Sequence, residues 1–316
     1  GGTVNIRVNG TTNYQPLTNA EDAEHADWTN YALNRWGGTV KDGAHGVKEV
    51  AAPEIQSIKA FNSDGSKGYY HEQADLVIVD DQAYDAAGNP VDLGAALVQK
   101  TMYDAREKKN VTVSEIDLAA LNAAGEFPDN GLIYAYRTDA SSSQPNGVRL
   151  VNGAELGGPL TVVTEDPLYV KGDYNTVNKK GASVLADAVN LLSNGWTDGG
   201  GTMQTAVETT YNMAFVTGNV PTPDGGGTYS GGFENLPRFH ENWTGVAAHI
   251  RGSFVNLFES EIAKAPWGSG GVYSPPIRDW RFDPDLISNL PPHTPNLVYF
   301  QRVLWDDKVP LPFDAN

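Results

Sequence analysis

The sequence contains no cysteine. That excludes a disulfide framework, a thiolate metal site and a cysteine nucleophile, and it leaves export open, because export does not require disulfides. Basic residues are also scarce: 22 Lys and Arg stand against 39 Asp and Glu, a formal net charge of −17. They are scattered, with only short pairs such as Lys108–Lys109 and Lys179–Lys180. Such a surface repels phosphate, which argues against nucleic acid and anionic membranes as partners. No apolar run approaches the roughly 20 residues of a membrane helix. The chain opens with Gly1-Gly2 and no apolar leader, and is read as a mature or trimmed chain whose targeting segment has been removed.

What is present is enough for a core: 40% hydrophobic and 10% aromatic residues in 316 positions, one large or two ordinary domains. With 34 Gly and 19 Pro the chain is rich in turns, as β-architectures are. Thr3–Val8 alternates apolar with polar residues and ends at Asn9-Gly10, a strand followed by a turn. Such a strand joins its own sheet or adds to that of a neighbouring subunit. Residues 1–19 are accordingly read as an N-terminal strand and tether.

Residues 20–127 read as a mixed α/β region. Ala20–Trp36 is predicted to be a helix with Trp28, Ala32 and Leu33 on one face, and Ala74–Asp80 a buried strand. A turn follows at Asp85–Pro90. Leu93–Lys108 is predicted to be a helix through Leu93, Leu97, Met102 and Tyr103, and Val111–Ser114 a short strand. Ser114 and Asp117 stand at the spacing of a capping box for a helix closed by Gly125.

Residues 128–272 change texture. Short apolar segments recur between Gly and Asn turns: 131–136, 148–153, 160–164, 168–173, 211–219 and 249–257. Each is too short to be stable alone and must stack or pair. Helices are expected at Ala182–Leu192 and Phe233–Trp243. The expected architecture is therefore mainly β with helical insertions, a β-solenoid-like (parallel β-helix) body following the mixed α/β region, although no strict repeat period is visible. Residues 273–316, rich in Pro and aromatics, are expected to wrap the body in extended conformation.

Several segments together carry a resemblance. They are Met102–Glu107 with Val113–Asp117, Gly131–Tyr134, Leu168–Asn175, Phe233–Phe239, Ile250–Ser253, and Tyr273–Pro276 with Arg278-Asp279-Trp280. The chain resembles, over about residues 21–305, the extracellular region of uncharacterised bacterial envelope proteins related to pilus-assembly (pilin-like) proteins. The resemblance implies export and an appendage or cell-surface role, and it supplies no catalytic residues. The N-terminal membrane-anchoring helix common in that group has no counterpart here, which puts pilin-type helical assembly in doubt.

The search for chemistry gives little. Among His25, His45, His71, His240, His249 and His293 there is no His-Glu-x-x-His, and His71-Glu72 is the closest to a ligand pair. No Gly-x-Ser-x-Gly elbow occurs. Gly199–Thr202 and Gly225–Thr228 lack the phosphate-loop Lys and read as loops. Carboxylates are the ambiguity: Glu165-Asp166 and Asp173 lie beside predicted strands, and Asp279, Asp283 and Asp285 cluster further on. Two such groups can cleave a glycosidic bond. A structural calcium is a further option at Asn62–Ser66 or Asp283-Pro284-Asp285, each an incomplete loop.

The leading expectation is a non-enzymatic structural subunit of a bacterial extracellular appendage, filament or surface layer. It would self-assemble, with its N-terminal strand as one route, beside other envelope or pilus proteins. An adhesin or carbohydrate-binding module using its aromatics is the second reading, and a polysaccharide-active enzyme the third. No catalytic, cofactor or metal residue is assigned.

Overall fold

A computed structural model describes residues 5–7, 14–16, 28–36, 55–199, 203–220, 236–265 and 271–294. The chain divides into two compact units, Gly1–Ala51 with Leu297–Asn316, and Ala52–Asn296. In the first, β1 (Asn5–Arg7) pairs antiparallel with β2 (Tyr14–Pro16). The N-terminal strand therefore already has a partner in its own chain, and the expected tether contains that partner. Of the helix expected over Ala20–Trp36, α1 (Trp28–Trp36) is described, with Trp28 buried but Leu33 55% exposed.

The second unit is mainly β and holds two large mixed sheets. The nine-stranded sheet runs β17 (Ile277–Phe282), β16 (Ala247–Glu259), β14 (Thr209–Asn219), β12 (Ala182–Ala186), β10 (Leu160–Val163), β8 (Leu132–Tyr136), β3 (Leu76–Val79), β4 (Gln82–Asp85) and β5 (Pro90–Val91). The six-stranded sheet runs β15 (Arg238–Phe239), β13 (Val189–Leu192), β11 (Leu168–Lys171), β9 (Asn146–Val151), β7 (Lys109–Asp117) and β6 (Leu97–Asp104). From β8 to β16 each successive strand enters the other sheet, and every neighbour pair among them is parallel. Within these two sheets, among the described residues, antiparallel pairing is confined to β3–β4–β5 and to β6–β7, the strands that begin each sheet.

Alternation along each strand sets the layers. One side of each sheet faces a shared core. Leu76, Ile133, Val162, Val184, Phe215 and Phe254 form a register column in one sheet. Ile116, Leu150, Val170, Leu191 and Phe239 form the corresponding column in the other. Both columns belong to one hydrophobic cluster. The outer side of the nine-stranded sheet packs Tyr134, Tyr136, Val163 and Leu185 under Ile58, Ala60 and Tyr70. The outer side of the six-stranded sheet packs Val113, Tyr169 and Leu192 with Trp196.

Three expected helices fail, for identifiable reasons. Ala182–Leu192 is two strands, β12 and β13, turning at Asp187. Every residue of it is buried, so the run has no polar face, and a strand covered on both sides reads as a continuous apolar stretch that mimics a helix. Leu93–Lys108 is a single 3-10 turn, Gly94–Ala96, leading into β6, whose eight residues pair with β7. The expected stripe was incomplete, since Tyr103 is 40% exposed. Of Phe233–Trp243, the residues from 236 on contain β15 and no helix; 233–235 lie outside the described residues. Ser114 sits within β7, and it is Asp117 that caps α2 (Leu118–Ala124) by accepting from Ala120 N, with Gly125 closing it at φ +77°. Finally, residues 277–282 do not wrap the body but form β17 within the sheet; residues 295–316 lie outside the described residues.

Candidate functional site at the corners of the sheets

Where the chain leaves one sheet for the other, backbone N–H groups lose their ladder partners and need acceptors. Acidic side chains supply them. Past β8, Thr138 N and Thr138 Oγ1 donate to Asp80 of the β3–β4 hairpin, both at 2.8 Å. After β10, Asp166 accepts from Arg137 N at 3.0 Å, and Glu165 from Ala60 N at 3.1 Å. After β12, Asp187 accepts from Glu261 N, from Ile262 N at 3.1 Å and from Ala263 N at 2.8 Å. Each acid thus ties its own turn to a segment distant in sequence.

At the far ends of the six-stranded sheet, amide side chains take part alongside the acids. Asn152 Nδ2 donates to Asp117 at 2.7 Å, Asp173 N to Asn194 Oδ1 at 2.9 Å, and Ser193 N and Oγ both to Glu241 at 2.6 Å. Asn175 and Asn212 exchange side-chain to backbone bonds, 2.9 Å and 3.0 Å. Glu115, Asp117, Asn152, Lys171, Asp173 and Asn194 line an open polar groove here, with a volume of about 390 Å³.

The carboxylates singled out in the sequence are therefore spread over four places. Asp166 precedes β11 and Asp173 follows it; seven residues at about 3.3 Å each span about 20 Å, well beyond the about 9.5 Å upper limit for an inverting glycosidase pair. Asp279 sits on β17. Asp283 and Asp285 both contact Lys179 Nζ, at 2.6 Å and 2.9 Å, so an ammonium occupies the position a cation would take. Asn62–Ser66 is an ordinary turn, closed by Asn62 N to Ser66 O at 2.7 Å and Ser66 N to Asp64 at 2.9 Å. Among the described residues, no three His, Asp or Glu side chains are grouped to hold a metal ion.

Electrostatics sorts the buried groups. Burial, with Glu165 and Asp187 adding to it, pushes Asp166 up to about 7. Burial also raises Asp187 and Glu241. A perturbed carboxyl in a cleft would be a catalytic candidate, but Asp166 is only 4% exposed, and no described cavity reaches it.

Sequence reasoning missed a second buried network, on the outer side of the six-stranded sheet. The β6–β7 turn reaches across to β11 and to residues flanking β15. Asp104 accepts from Tyr169 OH at 2.6 Å, Arg106 N at 2.9 Å and Glu107 N at 3.0 Å, and lies 3.6 Å from His240 Nδ1. His240 Nε2 meets Asn190 Oδ1 at 2.8 Å. Glu107 pairs with Arg238, and the Arg106 guanidinium lies 5.1 Å over Tyr273. Burial pulls His240 down to about 4, keeping it neutral. Burial acts to raise Asp104, but His240, Arg238 and the Tyr169 hydroxyl outweigh it and hold the group below its usual value. Met102–Glu107 and Phe239 entered the sequence reading only as parts of expected helices and of a resemblance. Nothing local signals that residues more than 130 apart meet.

His249, the third group, lies on the surface of β16 between Asp279 (Nδ1, 2.8 Å) and Glu208 (Nε2, 3.2 Å), with Arg251 on Asp279 at 2.8 Å. The hydrogen bond to Asp279 raises His249, while Arg251 and His249 hold Asp279 at about 2. His71 is instead buried, bonded to Ala60 O at 2.7 Å and stacked on Tyr134, and burial lowers it; Glu72 is exposed. His25, His45, Gly200–Thr202 and Gly225–Thr228 lie outside the described residues. Comparisons with protein-family models, with curated proteins and with solved structures found no match for this chain.

Proposed function

We propose that the chain is a structural, non-enzymatic subunit of a bacterial extracellular appendage, filament or surface layer, and that its body is a β-solenoid. The observation that carries the reading is the alternation of β8 to β16 between two parallel sheets over one core, with acids tying the corners. In such a coil every strand is hydrogen-bonded along its length to the next pass, which suits a load-bearing rod. The acids at the corners are occupied as acceptors of backbone N–H groups, which leaves them poorly placed for proton transfer to a substrate. Trp28, Trp196 and Trp243 are buried, which favours a core role over sugar stacking. Envelope location is supported by the resemblance in segments such as Leu168–Asn175 and Ile250–Ser253.

Electron microscopy of the purified chain at rising concentration, alongside light scattering, tests the proposal. Filaments, sheets or discrete oligomers are expected. Monomers alone at the highest attainable concentration overturn the assembly reading, and reducing-sugar release from polysaccharides overturns the non-enzymatic one.

A further inference from the structure

The two ends of the large sheet are built differently. At one end β3–β4–β5 folds back as antiparallel strands, and the last, β5, is two residues long and begins with Pro90. Short strands and proline are ways of blunting an edge. At the other end β17 is six residues long, and among the described residues nothing pairs with its outer edge. Ile277 is 58% and Phe282 59% exposed.

The hydrogen-bond phase of that edge is fixed. Ile277 N donates inward to Val246 O at 2.9 Å and Asp283 N to Gly252 O at 3.1 Å. Backbone groups alternate along a strand, so Arg278, Trp280 and Phe282 turn their N–H and C=O outward. Side chains alternate as well. Trp280 lies on the core side against Phe239 and Phe254, and shares it with Arg278 and Phe282. Asp279 and Arg281 lie on the opposite side, 3.3 Å apart.

We infer that β17 joins two copies of this chain by antiparallel pairing across a twofold axis at Trp280. This deepens the assembly reading proposed above and rests on it. With Trp280 opposite its own copy, Arg278 faces Phe282 of the second copy and Phe282 faces Arg278. Those are the pairs whose backbone groups point outward, as the narrow, hydrogen-bonded pairs of an antiparallel ladder require. Asp279 then falls opposite Arg281 of the second copy, in the non-bonded positions where side chains approach most closely. Arg278 already lies 5.1 Å over the Trp280 ring, and the pairing places Phe282 of the second copy beside it. Shifting the dyad by one residue sets Asp279 against Asp279 or Arg281 against Arg281, so charge selects the register. The edge carries two arginines and one aspartate in a chain of net charge −17, so two copies repel less along it than their net charges would suggest.

The test is sedimentation of the full 316-residue chain from about 1 to 300 µM, a range that brackets micromolar affinities. Phe282→Lys places a lysine opposite Arg278 of the second copy and should weaken the dimer at least tenfold. Adding Arg278→Glu to it restores a complementary pair and should recover most of the loss. Both side chains are exposed, and circular dichroism of each variant establishes that it folds. A wild-type chain that stays monomeric overturns the inference and leaves the edge to a strand of another protein. Oligomers unchanged by Phe282→Lys, or no recovery in the double variant, overturn this joint while leaving assembly through another surface standing. Rescued dimers that never build larger assemblies uphold the joint and count against the filament.

Discussion

Asp166→Asn should stabilise the protein at neutral and alkaline pH and do little in acid. Asp166 is buried at the corner after β10, accepts Arg137 N at 3.0 Å, and has Glu165 and Asp187 beside it. Its carboxyl sits at about 7 in the fold against 3.8 as a free side chain. A raised value means that the folded state holds the proton more tightly than the unfolded chain does. The associated stability is fully present below about 3.8 and is lost as pH rises through about 7. A gap of about 3 between the two values corresponds to about 4 kcal/mol lost across that window. An amide removes the titration. Its oxygen can still accept Arg137 N–H, and its hydrogens face the negative potential of the two neighbouring carboxylates. Urea unfolding of wild type and variant at pH 4, 6 and 8 reads the difference directly, with the slopes compared to check that both unfold alike. The variant should gain up to about 4 kcal/mol at pH 8 and converge with wild type near pH 4. A variant less stable than wild type at pH 8, or a difference that does not change between pH 4 and 8, refutes the reasoning.

Other substitutions probe the remaining elements. A Cβ at Gly252 would stand 1.7 Å from Met213 O on the adjacent strand; Gly252→Ala should cost about 3 kcal/mol or more in thermal or denaturant unfolding, because backbone must move. Leu191, fully buried in the six-stranded sheet's core column, should cost about 2–5 kcal/mol on truncation to Ala. His249 is raised above 6.5 by Asp279 and Glu208. Its contribution is present below about 6.5 and fades as pH rises through the raised folded value, so hydrogen exchange in β16 and β17 should accelerate with pH beyond the intrinsic rate. His249→Gln should flatten that extra dependence, and identical profiles in the two proteins would discount the histidine.

How much of this was legible depends on how far apart the interacting residues lie. The strands beginning at Leu132, Leu160 and Leu168 were legible because each is a short apolar run bounded by Gly or Asn, and those turns lie where the chain crosses between sheets. The β12–β13 corner was not legible. Burial on both sides erases the polar face that distinguishes strand from helix, and the only mark of the turn is one aspartate among many. The repeat was hidden for another reason. Along the core column Ile133, Val162, Val184, Phe215 and Phe254 the steps are 29, 22, 31 and 39 residues. The paired strands recur while the connections between them vary in length, so a search at a fixed period finds nothing.

The acids explain why chemistry looked plausible from sequence. An excess of carboxylates in a chain with few bases invites pairing them into a catalytic dyad. In the fold they are distributed by topology, beside the crossings between sheets, because each crossing strands backbone N–H groups that a carboxylate can accept at short range. Asp166 and Asp187 occupy comparable positions at the crossings after β10 and β12, and both are buried at the cost of a raised proton affinity. At these corners the acids thus serve as hydrogen-bond acceptors that join distant segments, rather than as surface charge. The same logic separates β17 from the other strands. Its acid, Asp279, is engaged by His249 and Arg251, with Arg251 also donating to the Asp279 backbone oxygen, and among the described residues the strand's outward N–H groups have no carboxylate to accept them. An edge left without the acceptor that the corners are given is an edge suited to another strand.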